Sequence, residues 1–77
     1  MGDIMQYLDR INERLTDKDI TAKNLSEKLE KNYSNILKTL KGNGRYFSIE
    51  DLIEICKLTN TSPEYILGFT NEIKSLN

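Results

Sequence analysis

TAKNLSEKLEKNYSNILKTLKG, residues 21–42, reads as two short helices joined by a tight turn. Thr21 is a good N-cap, and Ile20 before it can pack on Leu25 one turn in, a hydrophobic staple. Leu25 and Leu29 carry the first helix of the pair. Glu30-Lys31-Asn32 then breaks the apolar spacing, and Ile36, Leu37 and Leu40 begin a new set. Gly42 and Gly44 stop it, because glycine accepts positive φ at little cost. A connection of about three residues is too short for long antiparallel arms and suits a near-perpendicular pair.

Working outward, the rest of the chain is also helical by pattern, and no stretch alternates as a strand would. Upstream, Ile4, Leu8, Ile11 and Leu15 form one stripe of a first helix, which Asp17-Lys18-Asp19 ends. Downstream, Ser48 opens a fourth helix with Asp51 as a partial capping box, and Ile49, Leu52, Ile53 and Cys56 are read onto its inner face. Asn60-Thr61 ends that helix. Ser62-Pro63 starts a short fifth one, Pro being suited to the first helical position, and Gly68 stops it. In the tail, 69–77, the residues Phe69, Ile73 and Leu76 share a face if the segment is helical. They are candidates for a dimer interface, or else for closing over the first helix to complete the core. The fold expected is all-α: a compact five-helix bundle, one domain over 1–77, with a central helix-turn-helix at about 21–41.

Composition removes whole classes of function. The chain has 77 residues, no His, no Trp and one Cys. A disulfide within one chain and a Cys/His zinc cluster are both excluded, as is every Ser-His or Cys-His nucleophile pair. Asp17/Asp19 and Glu50/Asp51 are paired carboxylates, but each pair sits at a helix boundary, where turns and caps explain it. Cys56 reads as a small core residue, and Tyr7 and Tyr65 as packing at the core edge. The expectation is a non-enzyme without cofactor or metal. No apolar run approaches membrane-spanning length, so the chain reads as cytoplasmic with no membrane role.

The net charge is only −1, yet it is segregated. Residues 1–20 carry three basic and five acidic side chains, and residues 49–77 carry two and five. Residues 21–48 carry six basic side chains against Glu27 and Glu30, a net of +4. The basic island therefore falls on the helix pair, where the second member can enter a DNA major groove while the first braces across the backbone. Tyr33, Ser34, Asn35 and Lys38 form the candidate base-reading set: Asn can pair bidentately with adenine, and Lys reaches guanine or phosphate. Thr21, Lys23, Asn32, Lys41, Asn43 and Arg45 are candidate phosphate contacts, with Tyr46 beside Arg45 at the loop tip. The partner expected is double-stranded DNA.

Residues 21–42 resemble the helix-turn-helix of the Cro/repressor (XRE-type) family in the Thr cap, Leu25, Glu27-Lys28-Leu29, Ile36, Lys38 and Gly42. Residues 48–68, SIEDLIEICKLTNTSPEYILG, are similar to that family's fourth and fifth helices, where a Ser-Pro-acidic-Tyr-aliphatic-Leu-Gly ending is common. The resemblance implies a lambda-repressor-like bundle that binds an operator, usually as a two-fold homodimer, and a repressor of phage or mobile-element type. Three positions depart from the family pattern. Ala22 stands where a Gln is frequent, Glu30 where the turn has Gly, and Lys31 where an aliphatic is buried. Two registers follow. In one, Glu30 takes the turn position, although a non-Gly residue at positive φ is uncommon. In the other, the second helix runs on to Lys31, Asn32 becomes left-handed, Ser34 caps the third helix and Tyr33 fills the apolar slot. Asn35 leads the helix in either case. The alternative function is a protein-binding module, such as an antirepressor, an antitoxin-like partner or an inhibitor. It draws on the overall acidity, the missing Gln, the atypical turn and an exposed Tyr33 and Phe47.

Overall fold

The computed structural model describes residues 4–43 and 46–76. Among them are five helices and no strand: α1 Ile4–Asp17, α2 Ala22–Leu29, α3 Tyr33–Leu40, α4 Ile49–Thr59 and α5 Pro63–Ile66. The radius of gyration is 11.5 Å, the value of about 11.5 Å expected for a compact chain of this length. The core gathers Leu8, Ile11 and Leu15 from α1, Leu25 and Leu29 from α2, and Ile36 from α3. Ile55 and Cys56 from α4, Tyr65 and Ile66 from α5, and Phe47 from the loop before α4 complete it.

The helix starts follow the sequence pattern. Thr21 caps α2 by accepting from Asn24 N at 3.1 Å, and Ser48 caps α4 by accepting from Asp51 N at 3.1 Å. Pro63 occupies the first turn of α5. The helix ends share one device. After each helix the chain takes a left-handed residue, at Asp19, Glu30, Gly42, Asn60 and Gly68. The amide that follows reaches back five residues, as in Lys31 N to Ser26 O at 2.9 Å and Thr61 N to Cys56 O at 3.0 Å. This is the Schellman closure, which satisfies carbonyls the helix end would otherwise orphan. At three of the five ends the left-handed residue is not glycine.

Three expectations are corrected here. The inner arc of α4 is Leu52, Ile55, Cys56 and Thr59, spaced i, i+3, i+4, i+7, while Ile49 is 76% exposed and Ile53 49%. The tail is not helical, so Phe69, Ile73 and Leu76 form no single stripe; all three are exposed, and they do not complete the core. Ile73 borders a groove beside Asp9 and Glu13 of α1, whereas Leu76 borders one between α4 and α5. Phe47 is buried at 8% and belongs to the core, which removes it from any exposed docking surface.

Polar clasps hold the tail in place of a helix. The Arg10 guanidinium donates to Tyr65 O and Thr70 O, both at 2.6 Å, and to Asn71 Oδ1 at 2.7 Å. It also lies 4.4 Å from the centre of the Tyr65 ring, a cation–π contact. Ser62 N donates to Lys74 O at 2.7 Å, and Leu76 N to Asn60 Oδ1 at 3.2 Å. The Tyr65 hydroxyl donates to the Glu13 carboxylate, and that bond, with burial behind it, raises the phenol pKa above its ordinary value. Arg14 is buried beneath these contacts, donating to Thr61 Oγ1 at 3.0 Å and pairing with Asp17 at 3.1 Å.

Candidate nucleic-acid interface

The turn between α2 and α3 decides which side chains face outward. Glu30 sits at φ 55, ψ 43, so it takes the position a glycine would favour. Asn32 is extended, and its Oδ1 accepts from Ser34 N at 2.8 Å and Asn35 N at 3.3 Å. The first of the two registers is therefore the one adopted. The second is overturned: α2 stops at Leu29, the left-handed residue is Glu30 and not Asn32, and the cap is Asn32 and not Ser34. Tyr33, 48% exposed, fills no apolar slot. Asn is among the strongest N-caps because its short carbonyl reaches two orphan amides, and here that preference fixes the register.

With this register α3 turns Ile36 and Thr39 inward and leaves Ser34, Asn35 and Lys38 exposed. Thr39 Oγ1 donates to Asn35 O at 2.8 Å, so its hydroxyl is satisfied within the helix. Asn12 of α1 donates from Nδ2 to Leu40 O at 3.2 Å and to Leu8 O at 3.0 Å, pinning the end of α3 against α1. Lys23, Lys41 and Asn43 are exposed as expected. Thr21 and Lys41, from opposite ends of the helix pair, border one open groove of about 730 Å³, together with Ala22 and Leu37. Arg45 lies outside the described residues. Its neighbour Tyr46 is exposed, while Phe47 anchors the loop and its backbone hydrogen-bonds the Tyr7 hydroxyl. Burial is the larger influence on Tyr7 and raises its pKa above the ordinary value.

Caps restrict what some of these groups can offer. The Thr21 hydroxyl donates to Asn24 Oδ1 at 2.9 Å and accepts from Asn24 N, while Thr21 N also donates to Asn24 Oδ1 at 3.1 Å. That closed box leaves the Asn24 amide Nδ2, and not the Thr21 hydroxyl, as the donor at the start of α2. Likewise Asn32 spends its carbonyl on the cap and keeps Nδ2. Asn24 is missing from the sequence-read site. Its signal is the Thr-x-x-Asn spacing, a capping box in which Asn stands for the usual Glu or Gln. Ala22 is half-buried and packs on the core, so it supplies no clamp. Among the described residues no group of three or more His, Cys, Asp or Glu could hold a metal ion, and no helix is long and apolar enough to cross a membrane.

The geometry is a capped helix pair that presents the outer face of its second member within a basic segment. The family comparison agrees with it: the Cro/C1-type HTH DNA-binding domain matches residues 10–72. The chain belongs to the Cro/C1-type helix-turn-helix DNA-binding family. It is thereby a DNA-binding regulator in the general sense, and the match spans α2 to α5 and enters the tail as far as Glu72. No curated protein and no solved structure matches it significantly. Within the Cro/C1 frame, Glu30 and Lys31 show how the turn is kept when glycine and the buried aliphatic are both lost. The backbone closes on Ser26 O through Lys31 N, and both side chains stay in solvent.

Proposed function

We propose that the protein is a sequence-specific transcriptional repressor of phage or mobile-element type, acting in the cytoplasm as a single-domain, two-fold homodimer. The observation that carries the proposal is the outer face of α3: Ser34, Asn35 and Lys38 exposed with Tyr33 on the basic third of the chain, in a Cro/C1-type domain. Asn35 reads adenine or a comparable donor–acceptor edge. Lys38 reaches guanine O6/N7 or phosphate, and Tyr33 and Ser34 flank them. Lys23, Asn32, Lys41, Asn43 and Arg45 fix the register on the phosphates, and Thr21 acts there through the Asn24 amide that its capping box holds. A two-fold dimer sets two copies of α3 in successive major grooves, about 34 Å apart along the duplex. Occupancy then excludes polymerase without a cofactor or catalytic step. Phe69, Ile73 and Leu76 are exposed and offer apolar area to a second copy, although Ile73 and Leu76 open onto different grooves.

The test is a titration with random-sequence duplex DNA at several salt concentrations, followed by selection of a preferred site. The expected result is a steep negative salt slope and an enriched, roughly palindromic sequence. Asn35→Ala is expected to cost about 1–3 kcal/mol and to relax preference at one base pair. Affinity and preference unchanged in that variant would remove α3 from the reading role.

A further inference from the structure

Ile49 and Ile53 stand out of α4 where an inner face was expected, and the surface around them is shaped like half of a helix pair. Ile49, Ile53 and Lys57 lie four residues apart, so they form one ridge along α4. On one flank the ridge borders a groove of about 390 Å³ that includes Cys56, Pro63, Ile66, Leu67 and Leu76. On the other flank Ile53 borders a polar groove with Lys28, Lys31 and Glu50. A ridge beside an apolar groove on one face is self-complementary, the property that a two-fold contact requires.

We infer that this face pairs α4 with α4 of a second copy, antiparallel and crossing at Ile53. The inference rests on the dimeric reading above and assigns it a surface. Each ridge enters the other copy's groove, the packing of rows spaced four residues apart, which favours a crossing near −50°. The charges fit this occupant. An antiparallel pairing centred on Ile53 sets Lys57 of each copy opposite Ile49 and beside Glu50 of the other. Among the described residues Lys57 pairs with Glu54, loosely at 3.8 Å, and both side chains are more than half exposed. Lys57 is thus available to a Glu50 across the axis, twice per dimer. A parallel pairing would instead bring Lys57 to Lys57 and Glu50 to Glu50. The face uses no residue of α3, so pairing through it leaves the outer face of α3 uncovered.

The test is sedimentation of the full chain without DNA, with circular dichroism confirming that each variant stays helical. The wild type is expected to dimerise, and Ile53→Asp to raise the dimer dissociation constant by at least about 100-fold, as loss of a central apolar anchor does. Lys57→Glu and Glu50→Lys each bring like charges together and are expected to weaken the dimer about tenfold. The double variant exchanges the two signs and should return to within about threefold of wild type. A wild type that stays monomeric at every concentration overturns the inference, as does Ile53→Asp that remains dimeric. A double variant no better than its parents overturns the antiparallel register. Because mass is read without DNA, failure of operator binding leaves this result standing, and a DNA-binding monomer sinks the interface alone.

Discussion

Helices α3 and α4 bury one face each on the same core, yet they leave different chemistry outside. On α3 the exterior is Ser34, Asn35 and Lys38, short polar groups and a cation on a helix capped by Asn32. On α4 it is Ile49 and Ile53, flanked by Glu50 and Glu54. The first exterior suits a hydrated polyanion, whose contacts are hydrogen bonds and salt-sensitive charge pairs. The second suits a partner that takes apolar area out of water. A net charge of −1 conceals the contrast, because opposite charges on opposite helices cancel in the sum. Local charge, read helix by helix, is the quantity that carries the functional information.

The contrast can be broken most forcefully at the basic end. Lys38→Glu combined with Lys41→Glu is expected to lower DNA affinity by roughly a hundredfold or more at low salt. Mass in solution should stay at the wild-type value, since neither residue belongs to α4. A loss of both properties together would mean that the two surfaces are not separate.

A smaller change sharpens the contrast. Glu30 is an acid among Lys28 and Lys31, held at a positive φ that disfavours any side chain. Glu30→Gly relieves that strain and should stabilise the fold by about 1 kcal/mol, raising the melting temperature of so small a domain by several degrees. It also removes a negative charge from the basic segment beside the proposed reading face, so DNA affinity should rise a few-fold. A variant that melts lower than wild type would show that Glu30 holds the turn through contacts its backbone angles do not reveal.

The smallest effect concerns the other end, through Tyr65. Its pKa is raised in the folded state, first by the hydrogen bond to Glu13 and then by burial. A raised pKa means the folded state holds the phenolic proton more tightly than the unfolded chain does. The stabilisation is therefore complete below the ordinary value of 10.0 and is lost as pH rises through the folded pKa. Chemical denaturation followed above about pH 10 should show stability falling, and Tyr65→Phe should flatten that fall. Tyr7 is shifted in the same direction by burial, so a residual slope is expected from it. An identical slope in the Phe variant would assign the whole effect elsewhere.

Much of this architecture is legible in the sequence. The α1 stripe at Leu8, Ile11 and Leu15 is a helical repeat, and the Thr21 and Ser48 caps, Pro63, and the stops at Gly42 and Gly68 are local signals, each set within about one turn of chain. The helix stop at Asp17-Lys18-Asp19 and the turn position of Glu30 are both readable, but the sequence leaves Glu30 as one of two registers, because a left-handed acid is disfavoured locally and is tolerated only where the surrounding helices demand the closure. The inner face of α4 is not legible in the sequence, since Ile53 and Ile55 both satisfy an apolar count and only packing against α1 and α5 chooses between them. At the interface, Asn35 and Lys38 were placed outward by their spacing from Ile36. Asn12 could not be placed from spacing, for its partner Leu40 lies 28 residues away.

The Arg10 clasp bears on how the chain comes together. Its bonds join residues 55 to 61 positions apart, drawing the first helix onto the tail. Closing so long a loop surrenders chain entropy before any contact repays it, whereas α2 meets α3 across a turn of a few residues. The helix pair is thus written into neighbouring residues, and the bundle around it into the meeting of two distant segments.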